Sequence, residues 1–112
     1  MTTPMVLLWN AQQLLDGTLP TGQPPARLSA FLARQALEMM ITQRCQELGA
    51  EIPYATTNSK LVVLRALADD EIADAASTAW SGLSNACHHH AYELSPTVGE
   101  VRHLCELVAA LV

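Results

Sequence analysis

Aromatic side chains make up only 4% of this sequence, and no stretch alternates apolar and polar residues for long. The nearest approach to a strand pattern is the run Leu61-Val62-Val63-Leu64, which is short and sits between polar, helix-compatible residues. An extended β-architecture is therefore not expected. Charge is also scarce. Six Lys and Arg stand against eleven Asp and Glu, a net charge of −5, which argues against a strongly electropositive nucleic-acid surface. A local basic patch, gathered from scattered arginines in an oligomer, stays compatible with that balance. No apolar run is long enough for a membrane span. The segment Met5 to Trp9 is short and has no Lys or Arg before it, so neither an anchor nor a signal peptide is expected. The three cysteines, Cys45, Cys87 and Cys105, are odd in number and widely spaced within helical patterns. They read as buried reduced thiols, in keeping with a cytoplasmic location.

What is present is a half-hydrophobic chain dominated by Ala and Leu, long enough at 112 residues for one domain spanning 1–112 and too short for two. Small and unbranched apolar residues lose little rotamer freedom in a helix, so the expected class is all-α, a four- to five-helix up-and-down bundle. The first helix is placed over Pro4–Asp16, with Leu7, Leu8, Ala11, Leu14 and Leu15 at helical spacing and Gly17 as its stop. A Pro- and Gly-rich connector follows, over 17–25. The second helix is expected from Ala26 to Leu48 with Gly49 as cap. Its inward stripe is read as Leu28, Phe31, Leu32, Gln35, Ala36 and Met39, broadened by Met40, Ile41 and Cys45. Arg27, Arg34, Glu38, Arg44 and Glu47 are assigned to a solvated face. A short third helix is placed over Asn58–Leu67. Asp69 and Asp70 cap a fourth helix that should run to about Tyr92, with Ile72, Ala76, Ala79, Leu83, Cys87, His90 and Leu94 facing inward. The last helix opens on Thr97-Val98-Gly99-Glu100, a capping box, and buries Val98, Val101, Leu104, Cys105, Val108 and Leu111. Its apolar end, 107–112, calls for a covering surface from the bundle or from a second subunit. The sequence shows no internal repeat and no low-complexity tract.

The concentrated chemistry lies in Trp80-Ser81-Gly82-Leu83-Ser84-Asn85-Ala86-Cys87-His88-His89-His90-Ala91-Tyr92. Successive helical residues rotate by roughly 100°, so three consecutive histidines splay around the axis and cannot grip one ion together. Zinc on a helix wants His at three- or four-residue spacing, and Ser84 and Asn85 stand there instead. His103 would have to come from the last helix. No metal and no cofactor is therefore expected, although a metal or small-ligand site built on His88, His89 and His103 stays open as a minor alternative. Projected on a helix, His90 falls within the apolar stripe. His89 falls opposite, in register with Asp74, Thr78, Asn85 and Tyr92, a sparse polar stripe suited to a groove or a subunit interface. A core histidine bonded to a neighbour is the plain reading for His90, and surface histidines for His88 and His89.

This segment resembles the signature of the HEPN families, small helical bundles that dimerise and often cleave RNA without a metal. Their motif is Arg, four to six residues, then His, and the toxins of HEPN/MNT toxin–antitoxin modules extend it to Arg-x4-His-x-Tyr. Here Asn85, Ala86 to His89, and His90-Ala91-Tyr92 match that pattern except at the arginine. Matching Asn85 to the polar residue after the motif Arg moves the arginine position to Ser84, which also lacks it. The order of helices resembles the family along most of the chain. The resemblance implies an acid–base role for His90 on a ribose hydroxyl or leaving oxygen, with Asn85 and His89 as polar helpers. It also implies that Tyr92 is a target for a partner nucleotidyltransferase. The motif arginine would stabilise charge growing on phosphate, and its absence removes several kcal/mol of transition-state stabilisation unless Arg34, Arg65 or Arg102 reaches in. A regular helix also sets Asn85 and His90 roughly 140° apart, so one pocket can collect both only between two chains. The expectation is a HEPN-like homodimer acting as a non-catalytic binding or regulatory module. Its alternative is a metal-independent endoribonuclease of the toxin or defence type, with RNA as substrate.

Overall fold

The chain is all-α. A computed structural model describes residues 3–19, 22, 24–52, 54–88 and 96–111 and contains five helices. Helix α1 spans Pro4–Asp16, α2 Pro25–Glu47, α3 Thr57–Leu67, α4 Asp70–Cys87 and α5 Val98–Ala109. Local chemistry sets most of the boundaries. Thr3 caps α1 by accepting from the Val6 N–H at 3.3 Å, and Thr56 does the same for α3 from Ser59 at 3.1 Å. Thr97 and Glu100 form the reciprocal capping box expected at the start of α5. At the other ends, Gly17 (φ 78°) and Gly49 (φ 81°) take the left-handed conformation in which glycine avoids the Cβ clash.

The long helix α2 is the pillar, because it alone packs against each of the other four. Cross-contacts fix the directions. Ser29 Oγ donates to the Ala11 carbonyl at 2.9 Å, while Pro4 and Met5 lie beside Arg44 and Glu47, so α1 runs antiparallel to α2. Ser29 meets Cys105 and Arg44 meets Leu111, so α5 runs parallel to it. Arg27 meets Cys87 and Arg34 meets Ser84, so α4 runs antiparallel. This is the up-and-down arrangement, with the short α3 laid against α2 and α4. Small residues line the seam. Ala26, Ala30, Ala33 and Ala36 on α2 and Ala73, Ala76, Ala79 and Ala86 on α4 are all buried, and short side chains let helix axes approach closely. Gly82 gives the same closeness to α5. A Cβ there would stand 2.7 Å from a Leu104 methyl. Larger residues fill the centre, notably Leu37, Ile41, Leu64, Leu83, Val101 and Val108, each essentially inaccessible.

Three expectations need correcting. The buried face of α2 is Ala26, Ser29, Ala30, Ala33, Ala36, Leu37, Met40, Ile41 and Cys45. Phe31 is 46% exposed, and Leu28, Leu32 and Met39 lie half-buried at the edges. The error came from ranking residues by size. A helix surrounded on several sides takes small residues where its neighbours come closest. Second, Arg27, Arg34 and Arg44 do not belong to a solvated face, since each is half-buried and bonded to another helix or its end. Third, α4 ends at Cys87 rather than near Tyr92. His88 leaves the helical region (φ −98°, ψ 65°), so the helical projection stops there. Smaller departures lie in α5, where Val98 is 39% exposed and Leu104 is half-buried.

Candidate functional site

Helix α4 owes its last turn to arginines supplied by α2. Arg27 and Arg34 are seven residues apart, two helical turns, and so share one face of α2. Arg34 donates from Nε to Ser84 Oγ at 3.1 Å, and its guanidinium carbon lies 4.2 Å from the centroid of the Trp80 ring. Trp80 and Ser84 are themselves one turn apart, so a single guanidinium bridges stacking and hydrogen bonding on one face. Arg27 donates from Nη2 to the Cys87 carbonyl at 3.3 Å. That carbonyl is one of the last-turn acceptors a helix leaves without an internal partner, and it carries the negative end of the helix dipole. Arg27 Nε is buried and has no hydrogen-bond partner among the described residues. Two cations thus lie along the C-terminal end of α4, which His88 closes.

The electrostatics of that turn show in Cys87. Burial pushes its thiol up from the ordinary range, while Arg34 and Arg27 pull it down more weakly. Burial wins, and the group stays a neutral thiol. Cys45 and Cys105 are raised for the same first reason. Lys60 opposes it at Cys45, and the Ser29 hydrogen bond, followed by Arg102, opposes it at Cys105. All three cysteines are free and buried.

The predicted site residues divide sharply. Asn85 is exposed on α4 and makes no hydrogen bond with Arg27 or Arg34, whose partners on this helix are Ser84 and Cys87. His89, His90 and Tyr92 lie outside the described residues, as does the Leu94 assigned to the inward stripe. His88 and His103 are exposed, and no cluster of three His, Cys, Asp or Glu suited to a metal occurs among the described residues. Of the three arginines weighed as replacements for the missing motif cation, Arg34 is the one that reaches the segment, at Ser84. Arg65 pairs with Asp74 and Arg102 with Asp16. Sequence reasoning placed Arg27 on the solvated face and gave it no part in the site. The available signal was its seven-residue spacing from Arg34, which puts both on one face of α2.

A second feature was equally unforeseen. Along the outer side of α2 runs an open groove whose larger part, about 640 Å³, is lined by Leu7, Glu38, Met39 and Gln43 among others. Gln43 also lines an adjoining cavity of about 380 Å³ that takes in Met5, Met40 and Glu47. No helix of the described residues is long and apolar enough to cross a membrane. Comparison with protein-family models, curated proteins and solved structures gives no match.

Proposed function

We propose that this protein is a non-catalytic helical-bundle module of HEPN-like type that binds another protein rather than a nucleic acid. The observation behind it concerns the cations. The chain has six Lys and Arg, and each is bonded within the chain. Arg27 serves Cys87, Arg34 serves Ser84 and Trp80, and Arg44 donates to the Leu111 carbonyl at 2.8 Å. Lys60 donates to Thr42 Oγ1 at 3.0 Å, and Arg65 and Arg102 form ion pairs at 2.7 and 2.8 Å. A protein that holds RNA does so mainly by neutralising phosphates, each contact adding to affinity. Breaking the two ion pairs costs little, since exposed pairs are worth about 0–1 kcal/mol. The other four are half-buried struts, and turning them outward would strip the carbonyls of Cys87 and Leu111 and the half-buried hydroxyls of Ser84 and Thr42 of these donors.

One observation favours a second reading, the metal-independent ribonuclease. Arg34 stands against Ser84, the position at which one alignment with the HEPN motif would place the arginine. In that reading the cation is delivered from α2 rather than α4, and His90 is the acid–base group. A single experiment separates the two. The purified chain is incubated with fluorescent single-stranded RNA in chelator at about 0.1 M salt, and binding and cleavage are read together. The binding-module proposal expects neither. Cleavage that disappears in both His90→Ala and Arg34→Ala, with the fold intact by circular dichroism, would overturn it in favour of the ribonuclease.

A further inference from the structure

We draw no further inference here: the strongest candidate, the open groove along the outer side of α2 with Met5, Met39 and Met40 in its lining, mixes Arg44 with Glu38 and Glu47 along its edge, and nothing in the structure shows what covers it.

Discussion

Replacing Arg34 by Ala tests whether α4 is held in place by arginine from α2. The side chain makes two interactions at once, a charged hydrogen bond to Ser84 and a stacked contact with Trp80. Hydrogen bonds to charged groups contribute about 1.5–3 kcal/mol, and partly desolvated cation–π contacts about 0.5–2. Arg34 is half-buried, so the lower part of each range applies. Ser84 limits the loss, because its freed hydroxyl can turn to the carbonyl one helical turn back. The net cost expected is ~2 kcal/mol, or roughly 6–12 °C in melting temperature for a domain of this size. Ser84→Ala alone should cost less than ~1 kcal/mol, and the double variant should show a coupling of ~1 kcal/mol. Arg34→Lys keeps the charge but loses the planar donor and should behave more like Ala than like the parent. Urea unfolding followed by circular dichroism gives the free energies. Trp80 fluorescence in a Trp9→Phe background gives the local report. A change under ~0.5 kcal/mol for Arg34→Ala, with no coupling to Ser84, would return Arg34 to the solvated face and remove the structural account of the arginines.

Gly49→Ala should destabilise by ~1 kcal/mol, because φ of 81° is strained for any residue with a Cβ, and thermal melting reads it. Thr97→Ala should cost ~1 kcal/mol, and Glu100→Ala should add little on top, since the two halves of the capping box act together. Additive losses in denaturant melts would show that the box is not cooperative. The cysteines set an alkaline limit. Their thiols are raised in the fold, so above the usual thiol range, near about 8.5, the unfolded chain releases protons that the native one keeps. The unfolded state then binds fewer protons, and stability falls as pH rises. Below that range the thiols contribute no slope. Urea midpoints between about pH 8 and 10 in reductant should decline, less steeply in Cys105→Ala. A thiol reagent should react with the native chain only as fast as it opens.

How much of this was legible in the sequence follows from how local each determinant is. Pro4, Gly17, Gly49 and the Thr97–Glu100 box fix helix ends through bonds and dihedrals within four or five residues, and the structure has helix ends at each. The face of α2 was not local. Which side of Ala33 or Leu37 is covered depends on four other helices, and a reading that weights side-chain size points at Phe31 instead. The end of α4 was missed for a related reason. Periodicity runs on through the histidines, while the backbone departs from the helix at His88, beside the carbonyl that Arg27 caps. The stripes drawn through His89, His90 and Tyr92 fall on positions outside the described residues. Asn85, expected as a polar helper, is exposed on α4, and the contact with α2 belongs to its neighbour Ser84.

The misread arginines and the acidic surface are two sides of one arrangement. With six cations among 112 residues, every one drawn inward to brace a helix is one fewer at the surface. Arg27, Arg34, Arg44 and Lys60 are spent on a carbonyl, a hydroxyl, a carbonyl and a hydroxyl, none of them acidic. Those four bonds neutralise no carboxylate, and among the described residues only Asp16 and Asp74 have a cationic partner. The outside is therefore more acidic than pairing within a chain of this composition requires, and the positive charge sits where it holds α2, α3, α4 and the end of α5 together. With a net charge of −5, a polyanion meets net repulsion from such a surface, and no cation is left over to offset it without breaking a bond that holds the helices together.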